Sequence, residues 1–477
     1  MLDLHKNKYA IKLGLAPTRR ILNRPTLFNR DDAIREKEIL EAKLKEWKVD
    51  YVNLDFLNEE GLVYQGSDAD SIARRFTEEG VDAVFAPHCN FGTEDAVAKI
   101  AKKLNKPLLI WGPRDGRPEP DGRRLRDSQC GLFATTRVLS EFGVPFTYIV
   151  NSSVNDEAFK RGFDNFMAAA SVVKAFKGMR IGQLSTRPGS FWSVKANELE
   201  LLERFGIEVV PLSLQDIKRT MDAVLRNQSN DVDEEIAGIL SRVDDVSIPR
   251  EAVKNVAALK IAMKNWAAQE SLSAIAVLCT AAIRELTGVV PCFVMSELTD
   301  EGMPAICETD LHGAITAVMA QAAVQGRTPV FLADLTNRHP DNENAELLWH
   351  CGVFPHSLKK EGTRTALTDH YGAGVPGAAR WEIKGGEMTI VRFDGLTGQY
   401  SLLVTRGKGV DGPETNGTYV WVEFKDWPKL ERRFIYGPYI HHCIGVHEDI
   451  TAALYEAARY IPGLKLDMVD PDISEME

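Results

Sequence analysis

The sequence predicts an α/β protein with two doubly wound parallel-sheet domains followed by a C-terminal antiparallel β-barrel, and three observations carry that prediction. From Tyr9 to about Val150 short apolar runs alternate with amphipathic helical segments, the pattern of parallel strands joined by crossover helices. The alternation restarts after a long helical stretch from Asp156 to Lys177, which marks a second domain. Past Pro355 helical periodicity gives way to alternating strands separated by Gly-rich turns, as in an antiparallel barrel. Divided at these changes, the chain has an N-terminal α/β domain over 1–177, a middle α/β domain over 178–354 and a barrel domain over 355–477. Three domains also fit the length, because 477 residues exceed what one hydrophobic core spans.

In the first domain the strand candidates are Ala10 to Leu15, Tyr51 to Leu54, Ala83 to Ala86, Pro107 to Trp111 and Phe146 to Val150, each bounded by turn residues. Helical patterns at Asp31 to Trp47, Ser71 to Glu79, Thr93 to Leu104 and Ser128 to Phe142 separate them. The strand ends carry polar groups, notably Arg19 and Arg20 after the first and the stretch from His88 to Gly92, with Asn90 and Phe91, after the third. A dinucleotide site would need Gly-x-Gly-x-x-Gly after the first strand, and Gly14 to Arg19 does not supply it.

The middle domain repeats the pattern with strand candidates at Arg180 to Leu184, Glu208 to Pro211, Ala274 to Leu278, Pro291 to Met295 and Val330 to Leu332. Its first βα loop, Ser185 to Trp192, contains Pro188 and Gly189, which let backbone approach a ligand. There Arg187 is a candidate anion holder and Trp192 a candidate stacking surface for a sugar, against the plainer reading of an ordinary loop. Glu308 and Asp334 each leave an apolar run of this domain. Carboxyl ends of neighbouring parallel strands lie side by side, so two acids placed there converge on one cleft. The alternative is that Glu308 is a dipole-favourable acid at a helix start and Asp334 a loop cap.

In the barrel domain the strand candidates are Arg380 to Ile383, Met388 to Phe393, Tyr400 to Arg406, Tyr419 to Glu423 and Phe434 to Val446, with a closing helix from Glu448 to Tyr460. The acidic tail from Asp467 to Glu477 is expected to be loosely ordered. His441 and His442 fall within an apolar strand pattern, so alternation sends them to opposite faces and one points inward. That one is either a core histidine bonded to backbone or a nitrogen ligand to a metal also held by Glu308 and Asp334. Two carboxylates and one imidazole make a hard, near-octahedral site suited to manganese or magnesium, whereas zinc recruits Cys or several His.

Composition narrows the partners. A net charge of -11 with no Lys/Arg-rich run argues against nucleic acid and against an anionic membrane surface. No apolar stretch of signal-peptide or membrane-span length is present, and the seven cysteines are scattered without a Cys-x-x-Cys pair. These features predict a reduced, cytoplasmic protein with no structural zinc.

The segments Cys307-Glu308-Thr309-Asp310-Leu311-His312-Gly313, Phe331 to Asp334 and His441-His442 resemble, in this order, the metal-binding segments of the L-fucose isomerase and L-arabinose isomerase superfamily. The resemblance implies two Rossmann-like domains and a barrel, and an aldose-ketose isomerase working through a cis-enediol with Mn2+, or with Mg2+ or Co2+. It makes Glu308 and Asp334 both metal ligands and proton-transfer groups, and His442 the third ligand with His441 as its substitute. It also implies a homo-oligomer, typically a hexamer, in which the loops at Arg19 and at His88 to Phe91 act on a neighbouring copy. Substrate contacts are expected from Arg19, Asn90, Phe91, Arg187, Trp192, Tyr371 and His441. The chain departs from the family at Cys89 to Gly92, a loose match to the fucose isomerase loop, and in offering only His350 where the arabinose isomerases have an additional ligand. Arg19, Arg20 and Arg187 would favour a sugar carrying a negative substituent over a neutral one. Two other classes fit the same pattern, a non-catalytic sugar-binding protein and a metal-dependent epimerase or lyase acting on a sugar derivative.

Overall fold

The computed structural model describes residues 8–21 and 28–476. They form two compact units, one of Tyr9–Lys174 with Glu456–Pro462 and the other of Ala175–Tyr455 with the residues from Gly463 on.

The first unit is a five-stranded parallel sheet of β1 (Leu13–Leu15), β2 (Tyr51–Val52), β3 (Ala83–Pro87), β4 (Leu108–Trp111) and β5 (Thr147–Tyr148) in the order β2-β1-β3-β4-β5. Side-chain alternation explains why these runs are apolar throughout. Val84, Ala86, Leu108 and Ile110 enter one core, while Ala83, Phe85, Leu109 and Trp111 enter the other. Helices therefore cover both faces, and each fully buried Leu, Ile or Phe contributes about 1.5–3 kcal/mol. The late segment Glu456–Pro462 is tied into this unit by Tyr460, whose hydroxyl donates to the Leu108 carbonyl at 3.0 Å.

The second unit contains β6 (Arg180–Leu184), β7 (Glu208–Leu212), β8 (Asp245–Val246), β9 (Ala274–Val277) and β10 (Ala305–Cys307). Four of these strands form a parallel sheet in the order β10-β9-β6-β7. Two expectations fail here. Pro291 to Met295 is not a strand, because Pro291 caps a helix over Cys292–Asp300. Every residue from Cys292 to Thr299 is buried, and an apolar segment buried all round carries no period to separate helix from strand. The run at Val330 to Leu332 does form a strand, β11 (Phe331–Arg338), but that strand belongs to the barrel and not to the parallel sheet.

The barrel sheet continues with β12 (Ala345–His350), β13 (Ala366–Asp369), β14 (Pro376–Glu382), β15 (Gly386–Leu396), β16 (Gln399–Val410), β17 (Thr418–Glu423), β18 (His442–Val446) and β19 (Leu464–Asp470). Strands β16, β15, β18, β11, β12 and β17 follow one another, and the β16 to β17 pairing closes the ring. All pairs around the ring are antiparallel. The long strand expected from Phe434 to Val446 divides into the end of a helix, Trp427–Tyr436, and β18. Asp426 starts that helix by accepting from the Lys429 amide at 2.9 Å, a side-chain cap that outweighs the β pattern downstream. The tail is more ordered than expected, since β19 pairs in parallel with β16 and Asp470 is held by Arg406 at 2.8 Å and Lys425 at 3.1 Å.

One helix joins the two sheets of this unit. Leu311–Ala323 is buried at every residue, packing against β9 and β10 on one side and β15 and β18 on the other. A helix apolar all round is what such a sandwiched position demands. No helix among the described residues is long and apolar enough to cross a membrane.

Candidate active site

The site forms where this helix begins. After β10 ends at Cys307, Glu308 and Thr309 both adopt left-handed backbone, with φ of 63° and 55°. Non-glycine residues pay about 1–2 kcal/mol each for that conformation, and it persists only where neighbours enforce it. Here the Thr309 amide donates to the Val277 carbonyl at 3.1 Å and its hydroxyl to the Thr186 carbonyl at 3.2 Å. Asp310 then caps the helix by accepting from the Gly313 amide at 3.0 Å. A side chain at position 313 would bring its Cβ to 2.6 Å from Asp310 Oδ2, so glycine is what lets the cap close.

The other half of the site comes from the barrel. Asp334 on β11 lies directly opposite His442 on β18, which places both side chains on one face. His442 Nε2 stands 3.2 Å from Glu308 Oε2 and 3.5 Å from Asp334 Oδ1. The structure therefore brings Glu308, Asp334 and His442 together, though the acids do not leave neighbouring parallel strands. Glu308 follows the edge strand of the parallel sheet, and Asp334 sits inside a barrel strand.

The histidine pair also differs from expectation. His441 precedes β18, so strand alternation does not separate it from His442. Both rings reach the acids, with the centroids 4.5 Å apart, His442 fully buried and His441 half exposed. Ligand atoms of Glu308, His441 and His442 lie within 4.8 Å of one another, and His441 Nε2 is 4.0 Å from Asp334 Oδ1.

Behind His442 lies a set of buried charges that the sequence reading did not identify. Its Nδ1 faces Asp310 Oδ2 at 2.8 Å. The Arg392 guanidinium on β15 grips both Asp310 oxygens, the Nη2 contact being 3.2 Å, and also bonds Asp394 Oδ2 from Nε at 3.0 Å. Asp394 Oδ1 in turn meets His312 Nδ1 at 2.8 Å. All five groups are at most 5% exposed. Burial alone would raise the Asp310 carboxyl, but Arg392 and His442 hold it well below the usual carboxylate range. Burial would likewise lower His442, yet the surrounding carboxylates of Asp310, Glu308 and Asp334, which favour the charged ring, push it up to about 10. Burial would raise Glu308 as well, but the adjacent imidazoles, His442 first, outweigh it and hold the carboxyl below its usual value.

Whether these residues suit a cation can be tested on unsatisfied atoms. Among the described residues His442 Nε2 and Asp334 Oδ1 are buried without a hydrogen-bond partner, although they lie 3.5 Å apart. Buried polar atoms are normally satisfied, so lone pairs converging without a donor fit a divalent ion. His350 Nε2 is a third such atom, 4.0 Å from Asp334 Oδ1.

Tyr371 is exposed, stacks on His370 at 5.3 Å and meets Trp349 edge-on at 5.7 Å. Partial desolvation, then the charges of Cys351 and Asp334, raise its hydroxyl. Arg187 donates to the Pro188 and Gly189 carbonyls at 2.9 and 2.7 Å and so braces its own loop. Trp192 is exposed, with Lys195 over its ring at 5.5 Å. In the first unit Arg19 is buried and binds Glu60 through Nε at 2.5 Å and Nη2 at 3.0 Å. Arg20 pairs with Glu94 and lies over Phe91 at 4.8 Å. Asn90 accepts from the Arg20 amide at 2.8 Å, and its Nδ2 is buried without a partner among the described residues.

Comparison with known proteins bears on the same regions. Residues 21–177 match the family model described as the fucose/sulfoquinovose isomerase N-terminal domain. A sulfoquinovose isomerase of Alkalicoccus urumqiensis is 27% identical over 382 residues, 79% of this chain and 84% of that protein. A sulfoquinovose isomerase of Priestia aryabhattai is 27% identical over 384 residues, 80% and 84% of the two chains. One from Clostridium sp. (strain MSTE9) is 21% identical over 339 residues, 70% and 74% of the two chains. Over these lengths the chain is similar to fucose/sulfoquinovose isomerases, through the family model in its N-terminal third and through the sulfoquinovose isomerases over about four fifths of its length.

Proposed function

We propose that this protein is a divalent-metal-dependent aldose-ketose isomerase whose substrate is an anionic sugar of the sulfoquinovose type. The observation that carries the reading is the meeting of Glu308, Asp334 and His442, with His442 Nε2 and Asp334 Oδ1 buried and unpartnered. Sulfoquinovose isomerases aligned over about four fifths of the chain support the reaction class and the anionic substrate.

In this reading Glu308, Asp334 and His442 hold Mn2+, with Mg2+ or Co2+ as substitutes and His441 at the rim. When bound, the ion polarises the adjacent sugar oxygens and lowers the energy of the enediolate. One carboxylate removes the proton from C2 of the open-chain aldose and returns it to C1, while the other manages the hydroxyl and carbonyl protons. Positioned acid-base groups of this kind contribute roughly 10²- to 10⁴-fold. The Asp310 carboxylate keeps the His442 ring in place throughout. A homo-oligomer, in which loops around Arg19 and Phe91 serve a neighbouring copy, belongs to the same proposal.

Proton NMR of sulfoquinovose incubated with manganese-loaded protein in deuterated buffer tests the reading. The expected product is the ketose, with deuterium at C1 in the fraction of turnovers where the abstracted proton exchanges with solvent before its return. An inverted aldose would make the protein an epimerase, and an unchanged spectrum would reject catalysis on this sugar.

A further inference from the structure

Two imidazoles face Asp334, and their Nδ1 partners are of opposite kinds. His442 Nδ1 lies 2.8 Å from the Asp310 carboxylate, which can only accept, so this nitrogen keeps its proton and Nε2 is the one that gives up a proton to present a lone pair to a cation. His350 Nδ1 accepts the backbone N–H of Cys351 at 2.9 Å, so its lone pair is on Nδ1 and its proton on Nε2. That Nε2–H is buried, has no partner among the described residues and stands 4.0 Å from Asp334 Oδ1. His350 as a whole is 1% exposed.

A metal ligand needs a nitrogen lone pair, and His350 has none to offer without turning a proton toward the Cys351 N–H. The 4.0 Å between this donor and the carboxylate oxygen suits a hydroxyl oxygen that accepts from His350 and donates to Asp334. We infer that His350 is not a metal ligand but a hydrogen-bond donor, its Nε2–H aimed at a hydroxyl or carbonyl oxygen of the open-chain sugar seated beside Asp334. The assignment rests on the isomerase reading and adds a residue to it. His442 binds the ion through a bare nitrogen, and His350 meets the substrate through a protonated one. Charge developing on a sugar oxygen during enolisation would strengthen this bond in the transition state, so its loss falls mainly on kcat.

Full-length wild-type protein and the variants His350→Gln, His350→Phe and His442→Gln would be loaded with Mn2+, desalted and assayed for manganese per chain, then for kcat and KM. Both His350 variants should keep the wild-type manganese content. His350→Phe should lose about 10²- to 10³-fold in kcat, the range for removing one donor to a developing oxyanion. His350→Gln, whose amide keeps an N–H, should recover part of that loss, and His442→Gln should lose the ion. Loss of manganese from either folded His350 variant would make His350 a ligand and overturn the assignment, as would wild-type kcat in His350→Phe. Should the wild-type protein bind no manganese, or His442→Gln keep it, the metal-site reading itself fails and this assignment falls with it.

Discussion

Asp310 Oδ2 lies 2.8 Å from His442 Nδ1, and this one contact ties the buried helix of the middle region to barrel strand β18 at the point where Glu308 and Asp334 meet. The carboxylate is itself fully committed, accepting from Gly313 and from both Arg392 Nη atoms as well. The candidate ligand is therefore oriented by a residue that three other hydrogen bonds hold in place.

Removing that orientation should weaken metal binding without removing a ligand. Replacing Asp310 by Asn puts a neutral amide against His442 Nδ1 and lets the ring choose the other tautomer. Manganese affinity should fall about 10- to 100-fold, the usual effect of losing such a supporting group. Titration calorimetry of Asp310→Asn against wild type reads this directly, and unchanged affinity would remove Asp310 from the site.

Arg392 is the counter-charge for two buried carboxylates, Asp310 and Asp394. Arg392→Leu leaves both uncompensated, and breaking a buried pair in this way costs about 3–5 kcal/mol. The urea midpoint of the variant should drop accordingly, and a drop no larger than that of an exposed-residue control would contradict the network.

Glu346 on β12 offers a pH test away from the candidate metal ligands. Its carboxyl is 4% exposed, Oε2 has no partner among the described residues, and burial pushes its pKa up to about 7 from 4.5. A group raised on folding binds its proton more tightly in the folded state. Its stabilising contribution is complete below about pH 4.5 and is lost as pH rises through about 7. Glu346→Gln stays neutral, so it should melt about 2–4 °C above wild type at pH 8 and match it at pH 4.5. Melting curves that coincide at both pH values would contradict the shift.

Much of the framework was legible because its signals are local. The apolar runs of β3 and β4 are bounded by turns and too short for helices, so their assignment follows from length and flanks. Cys292 to Thr299 lacked such a signal, since full burial erases the period. The run leading to Asp334 looked like another parallel strand because sequence alternation gives strand identity but not sheet membership, and only the pairing of β11 with β18 moves it to the barrel. The charged set behind His442 does leave a trace in the sequence. Arg392-Phe393-Asp394 puts an Arg and an Asp two apart, hence on one face, inside an apolar strand. Asp310 with Gly313 is the spacing of a helix cap that forbids a side chain. The Arg187 and Arg19 contacts were not readable, because their partners lie in backbone carbonyls or in a distant Glu60.

The most direct test of the account is anomalous scattering at the manganese edge from crystals grown with Mn2+ and a non-reacting polyol analogue of the sugar. A single peak bonded to Glu308, Asp334 and His442 Nε2, with polyol oxygens completing the shell, is the predicted result. A peak elsewhere, or none while the His442 side chain stays locked between Asp310 and Glu308, would contradict it.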